Sequence, residues 1–383
     1  MDFGLSEEQE QLRDQARELL TRECPTARVR KAMESASGVD TDLWRAFGEA
    51  GWLGVLVPED LGGAGLGLLD AAVIAGEIGR AVAPGPFVAS AVGATLALRE
   101  GGAKAQRSAW LPRLASGEAV ASLAVAEPEE PRFDAAGIAG RAKTAGARGF
   151  RLTGDKVFVD AAGSADLWIV ALRTASARGA AAPGAFPGVG LFALPRGAKG
   201  AAVEDLVSLD ETRRTGELRL RDVAVPKEAL LPRGEKVLGR VLDACAIATA
   251  AESLGGAERA LELATEYVKV REQFGRPVGS FQAVQHLAAE SAARIEPARA
   301  LLWYAAWAWD ARPKEAPLAA AMAKAACCDV YRAVSRTAIE MFGGIGFTWE
   351  NDMHLYFKRA LVNAASYGDS TWQRERVASL SGF

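Results

Sequence analysis

The sequence predicts an α+β multi-domain chain in which a strand-rich middle domain separates an amino-terminal helical domain from a carboxy-terminal one. Three observations carry this. Residues 1–117 place Leu12, Ala16, Leu19 and Leu20 at helical spacing and break at Gly62 and Gly63. Residues 118–232 change to short alternating or apolar runs between Gly, Pro and Asp breakers. Residues 233–383 return to long Ala-rich helical patterns that run to the end.

Within the middle domain, the runs FRLTGDKVFVD, LWIVALR, VGLFALP and LRLRDVAVP read as strands of a small barrel or sandwich. The stretch from Ala175 to Gly190, rich in Ala, Gly and Pro, reads as a long mobile excursion between strands. No internal repeat is visible. At 383 residues the chain exceeds the size of a single core, and 50% apolar residues supply ample material for two or three subdomains.

Composition narrows the function. A formal charge of −3 without a Lys/Arg block offers no electrostatic case for nucleic acid or a membrane surface. Cys24, Cys245, Cys327 and Cys328 fit neither a CxxC metal pattern nor a disulfide framework, and with only His286 and His354 besides, no metal site is expected. Asp2, Glu7, Glu8 and Glu10 occupy the amino terminus instead of a basic start and an apolar run, so no secretory signal is visible. Apolar stretches such as Ala300 to Trp309 fall short of the roughly 20 residues of a membrane span. A reducing cytoplasm is the expected location.

The most informative stretch runs from Arg271 to His286. Gly275, Pro277 and Gly279 interrupt the helix pattern ahead of Gln282, and the spacing of Arg271 and Phe274 predicts a shared helix face. A fixed Arg, an aromatic plane and a Gln at a helix junction suit a charged, ring-bearing ligand.

The string YVKVREQFGRPVGSFQAVQH resembles the signature of the acyl-CoA dehydrogenase superfamily. So do the opening MDFGLSEEQEQLRDQARELL, the segment GVLVPEDLGGAGLGLLDAAVIAGEIGRA and the segment EMFGGIGFTWENDMHLYFKRA, so the likeness covers nearly all of the chain. It implies the acyl-CoA dehydrogenase fold, with a four-helix bundle in the carboxy-terminal domain. It also implies FAD-dependent oxidation of the Cα–Cβ bond of an acyl-CoA thioester, with an electron-transfer flavoprotein as acceptor.

Such chemistry needs a carboxylate base for the weakly acidic α-proton. In most family members it is the Glu of Tyr-Glu-Gly-Thr, where this chain reads Tyr367-Gly368-Asp369-Ser370. Gly368 supplies no acid or base. The alternative family position, on the first long helix of the carboxy-terminal domain, is Cys245, and the nearby Asp243 and Glu252 do not coincide with it. Asp369 is the remaining candidate base. Its other reading is a helix cap, with Gln373 or a neighbour as the reciprocal partner.

The resemblance also implies a flavin-ring loop, Thr-Glu-Pro-x-x-Gly-Ser-Asp, here Ala126-Glu127-Pro128-Glu129-Glu130-Pro131-Arg132-Phe133-Asp134. Gly-Ser has become Arg132-Phe133, Pro131 deletes a donor, and Glu129 and Glu130 repel a pyrophosphate. The ring-packing Trp-Ile-Thr reads Phe158-Val159-Asp160, which sets an acid toward a ring that becomes anionic on reduction. By contrast, the segments that complete a neighbouring subunit's FAD are kept in form: Arg271, Phe274 and Gln282, with Glu340, Gly343 and Gly344 in the loop.

This asymmetry resembles the non-catalytic subunit of bacterial heterotetrameric (α2β2) acyl-CoA dehydrogenases. The expectation is an accessory chain that completes a partner's FAD site for an acyl-CoA, including bulky ones such as a steroid side chain. Two other readings stay open: a self-sufficient homomeric flavoenzyme using Asp369, and a flavin-free acyl-CoA binding or scaffold protein.

Overall fold

The computed structural model describes residues 4–35, 38–129, 133–146, 149–174 and 184–383. Helices α1 (Glu7–Glu23), α2 (Thr26–Glu34), α3 (Thr41–Glu49) and α4 (Leu68–Arg80) come first, followed by a π-helical turn (Val88–Ala94), α5 (Thr95–Gly101) and α6 (Lys104–Ala115). Strands follow: β1 (Ala121–Ala124), β2 (Arg141–Thr144), β3 (Phe150–Asp160), β4 (Leu167–Arg173), β5 (Val189–Pro195), β6 (Ala201–Asp205) and β7 (Thr215–Val225). Helix α7 (Gly234–Val270), the short strands β8 (Glu272–Gln273) and β9 (Arg276–Pro277), then α8 (Gln282–Ala311), α9 (Ala316–Phe342), α10 (Met353–Ala365) and α11 (Ser370–Leu380) complete the chain. The predicted order of helical, strand and helical segments is the observed one.

Local chemistry explains the first boundary. Ser6 and Gln9 form a reciprocal cap, with Gln9 N donating to Ser6 Oγ at 3.3 Å and Ser6 N to Gln9 Oε1 at 3.1 Å. Glu7, Glu8 and Glu10 face the positive end of the same helix. Ala16 and Leu20 of the predicted stripe are buried.

Contacts divide the chain into two compact units, one of Met1–Lys31, Ala72–Ala83 and Ala246–Phe383, the other of Ala32–Ala71 and Pro84–Cys245. The second holds a mixed seven-stranded sheet in the order β1-β4-β2-β3-β7-β6, with β5 also paired to β4. Strand β4 bonds β5 along its whole length on one side, and on the other meets β1 from Leu167 to Val170 and β2 at Arg173, both parallel. Being central, β4 is buried from Leu167 to Leu172 and reads as a continuous apolar run. Leu152, Val159, Leu218, Leu220 and Val223 of the neighbouring strands join its core. Strands β1, β2 and β6 show too little alternation to be predicted, because sequences such as Arg-Ala-Lys-Thr gain their pairing from neighbours and not from an apolar face. Of the excursion predicted from Ala175 to Gly190, residues 175–183 lie outside the described residues, and β5 already begins at Val189.

The first unit is helical. Helix α9 packs on α8, α10 and α11 through small side chains, with Ala319, Ala320, Ala321 and Ala323 buried. A buried ion pair, Arg359 to Glu252 at 2.6 Å, and a bond from Asn363 Nδ2 to Ser253 Oγ at 3.2 Å join α10 to α7. Such a pair costs desolvation and gives one arrangement of the helices a specific advantage, because any other leaves a charge alone in the core. No helix among the described residues is long and apolar enough to cross a membrane, and no cluster among them could hold a metal ion. All four cysteines are buried free thiols.

Candidate functional site

The segment after α7 is a hairpin. Gln273 pairs with Arg276, and between them Phe274 and Gly275 take φ of +55° and +77°. Two consecutive left-handed residues make a type I′ turn, which matches the twist of the flanking strands. The expected shared helix face of Arg271 and Phe274 is therefore corrected: α7 ends at Val270, and the turn carries Phe274 outward, 93% exposed. Val278 N bonds Arg271 O at 2.7 Å and closes the hairpin's base. Arg276 lies 4.0 Å over the Phe281 ring, and Phe274 meets that ring edge-on at 6.2 Å. Gln282, exposed, opens α8.

The glycine loop lies beside this hairpin. Tyr267, one turn before Arg271, stacks on Phe342 at 4.5 Å, and Phe342 is the last residue of α9. Glu340 is exposed on that last turn, and Gly343 reverses the chain with φ +67°. Gly344 has no such duty: its φ is not positive, and a Cβ there would meet nothing within 4 Å. Nothing among the described residues requires glycine at 344, so close approach by something outside fits it best. Arg271 is exposed, with no carboxylate paired to it among the described residues. An available guanidinium beside open backbone suits a diphosphate, and this half of the predicted FAD contacts fits the residues present.

The two positions where the resemblance would place a base look different. Tyr367 and Gly368 take φ of +55° and +90°, and a Cβ on Gly368 would lie 2.4 Å from Trp372 Cε3. Trp372 thus fills the space a side chain at 368 would need. Lys324, buried on α9, donates to Asn363 O at 2.9 Å and to Gly368 O at 3.1 Å, joining the end of α10 to the turn. Gln373 Nε2 bonds Tyr367 O at 2.9 Å. Asp369 is exposed and caps α11, its Oδ1 accepting from Trp372 N at 2.8 Å. Cys245 is fully buried in the strand-containing unit, where Gly93 lies against its sulfur. Asp243 is buried there too, and Glu252 is committed to Arg359.

The ring-side loop is built around an ion pair that the sequence reading missed. Glu127 accepts from Ala139 N at 2.9 Å, Gly140 N at 3.0 Å and Lys156 Nζ at 2.5 Å, and Lys156 also donates to Val125 O at 3.1 Å. Burial pushes the Lys156 ammonium down to about 8 against the pull of Glu127. A Lys at an inward position of β3, between Leu152 and Val159, was the available signal. Glu127 is consumed by the fold. Two residues beyond Lys156, a bulge turns Phe158 to φ +54° and leaves it 63% exposed. Asp134 caps its own turn through Ala136 N and Gly137 N at 3.0 and 3.1 Å. A cleft of about 960 Å³ opens here, bordered by Glu127, Glu129, Gly137, Arg141, Lys143 and Asp155. Glu130, Pro131 and Arg132 lie outside the described residues. The described ring-side residues offer a flavin an exposed aromatic, with both carboxylates and the cations Arg141 and Lys143 around the cleft.

Comparison with known proteins adds the family. The family models for the acyl-CoA dehydrogenase N-terminal and C-terminal domains match residues 6–118 and 233–380. Acyl-CoA dehydrogenase IpdE2 of Mycobacterium tuberculosis is 35% identical over 355 residues, covering 92% of this chain and 91% of the relative. A chain of the ChsE4-ChsE5 complex from Mycobacterium tuberculosis superposes with a TM-score of 0.90 at 28% identity, covering 100% of both chains. A variant of the Tcur3481-Tcur3483 steroid ACAD gives 0.87 at 33% identity, covering 98% of each.

Proposed function

This chain belongs to the acyl-CoA dehydrogenase family, and we propose that it acts as the accessory subunit of a hetero-oligomer, completing a FAD site for a partner that carries the base. The family's enzymes are oxidoreductases with FAD as cofactor, which when bound accepts hydride from the β-carbon of an acyl-CoA. The observation that carries the proposal is the turn at Gly368, where φ +90° and the Trp372 ring leave no room for a base and Asp369 is engaged in capping α11.

In this reading Arg271 binds the diphosphate of the shared FAD, Gln282 and Glu340 meet its adenosine end, and Phe274 shields it from water. Gly343 shapes the loop and Gly344 lets backbone approach. One similar structure is a two-component complex and another is described as a steroid ACAD, which supports a second family member as partner and a bulky acyl-CoA as substrate. An electron-transfer flavoprotein is the acceptor this reading expects.

The test is the flavin-to-chain ratio of the protein purified alone and co-purified with a base-carrying family member. Little flavin alone, rising to about one per two chains in the complex, is expected. About one flavin per chain in the isolated protein, bleached by an acyl-CoA, overturns the accessory role and makes Asp369 the base. No flavin in either preparation leaves a flavin-free acyl-CoA binder.

A further inference from the structure

The segment that follows the glycine loop ends in a cluster the proposed function does not use. Trp349, 57% exposed, stacks on His354 with ring centroids 4.6 Å apart and 16° between planes. Arg30 of α2 and Lys358 of α10 lie over the same indole, at 5.4 and 5.2 Å from its centroid. Arg30 also holds the loop's end, donating to Asp352 Oδ1 at 2.7 Å and Asn351 O at 3.2 Å. All these groups belong to the helical unit.

His354 sits in a conflict of hydrogen bonds. Its Nε2 is 3.3 Å from Trp349 O, which needs a proton there, and 3.4 Å from Arg30 Nη2, which needs a lone pair. Its Nδ1 is buried and finds no hydrogen-bond partner among the described residues. With the proton on Nε2, the imidazole bonds the Trp349 carbonyl and closes the loop. A second proton, on Nδ1, would meet no acceptor and would place a third cation beside Arg30 and Lys358 on one indole.

We infer that His354 is a proton-sensitive latch: neutral, it holds Trp349 and the 348–352 loop against α2 and α10, and protonated, it releases them. The charges that face it are Arg30 from α2 and Lys358 from α10, which oppose protonation, whereas the Trp349 carbonyl and Asp352 at the start of α10 favour it. Glu350 lies in the same loop, where hydrogen bonds from the loop backbone and from Thr348 lower its carboxyl, with a smaller pull from Arg30. Burial is the largest influence on the ring and lowers its affinity for the proton. The sign follows. A His with a depressed folded-state value contributes stability that is complete above the ordinary value near 6.5 and is lost as pH falls through the lower one. The latch therefore opens on acidification. Because the loop begins directly after the 3₁₀ turn Gly343–Phe347, opening it frees the far end of the glycine loop.

Hydrogen exchange of the full chain, read on peptides covering 343–353 between about pH 7.5 and about pH 5, tests this. After correction for intrinsic exchange rates, exchange is expected to rise on acidification with a midpoint below the ordinary imidazole value. The opening equilibrium should shift about tenfold for each unit separating the latched and released states. His354→Phe keeps a ring on Trp349 without a titrating group and should abolish the rise. Lys358→Gln leaves the ring and the Arg30–Asp352 pair in place and should move the midpoint upward. Corrected exchange that is flat with pH in the wild type, or a Lys358→Gln midpoint that does not move upward, overturns the latch, as does the same rise in a folded His354→Phe protein. None of these readouts requires flavin or a partner, so failure here is separate from failure of the accessory role.

Discussion

The hairpin and glycine loop at one end of α7 and α9, and the turn between α10 and α11, belong to the same helical unit, yet they are built on opposite terms. In the hairpin region the polar and aromatic groups point outward: Phe274 is 93% exposed, Arg271 has no carboxylate paired to it among the described residues, and Gly344 faces open space. In the turn the groups are engaged inward. Lys324 bonds Gly368 O, Gln373 bonds Tyr367 O, Asp369 caps α11, and the indole of Trp372 fills the side-chain space of 368. Donors left available on a surface can serve something outside the chain, whereas a turn whose carbonyls at 367 and 368 and whose carboxylate at 369 are engaged holds its own backbone. The contrast is what the proposed accessory role requires of one chain: groups open to a cofactor at one place and none free to act as a base at the other.

The largest effect should come from breaking the closed side. Lys324→Met removes a buried cation and the hydrogen bonds it donates to Asn363 O and Gly368 O, while the Cys328 thiol still reaches Asn363 O at 3.7 Å. We expect a loss of about 3 kcal/mol in denaturant unfolding, near the upper end for buried hydrogen bonds from a charged group. A change of less than about 0.5 kcal/mol would mean that the turn does not depend on Lys324.

Next comes the open side. Arg271→Gln in the complex should weaken flavin retention about tenfold or more, by loss of a charge-assisted contact, while the unfolding midpoint stays put because the residue is exposed. Equilibrium dialysis of flavin alongside a thermal melt reads both. Unaltered retention would remove Arg271 from the cofactor site, and a lowered melting point would show that it serves the fold.

The smallest effect sharpens the comparison most. Asp369→Ala should cost about 1 kcal/mol through loss of the cap, whereas Asp369→Asn should change stability by only a few tenths and leave the turnover of the complex unchanged. Asn caps as well as Asp and accepts no proton. A fall in turnover of about a hundredfold or more in Asp369→Asn would show that the carboxylate works as a base and not as a cap.

Much of this was legible beforehand. The runs Phe150–Asp160, Leu167–Arg173 and Val189–Pro195 coincide with β3, β4 and β5, because their apolar residues must reach a sheet core whatever their neighbours do. The break at Gly275, Pro277 and Gly279 ahead of Gln282 was equally plain, since backbone restrictions act locally. The form of the break was hidden. Spacing alone placed Arg271 and Phe274 on one helix face, but pairing between Gln273 and Arg276 sent them to opposite ends of a hairpin strand and turn.

By itself the sequence determined what each segment must do with its own backbone and apolar face, and also that the two positions where the resemblance would place a base, Gly368 and Cys245, carry no carboxylate in any conformation. Tertiary structure decided which charges the chain keeps for itself. Glu127 finds Lys156 across 29 residues, Arg359 finds Glu252 across 107, and Arg30 finds Asp352 across 322. Local periodicity records burial and turn geometry within a few residues, and it carries no trace of a partner that far away. Only the folded chain separates a carboxylate that is available from one already engaged.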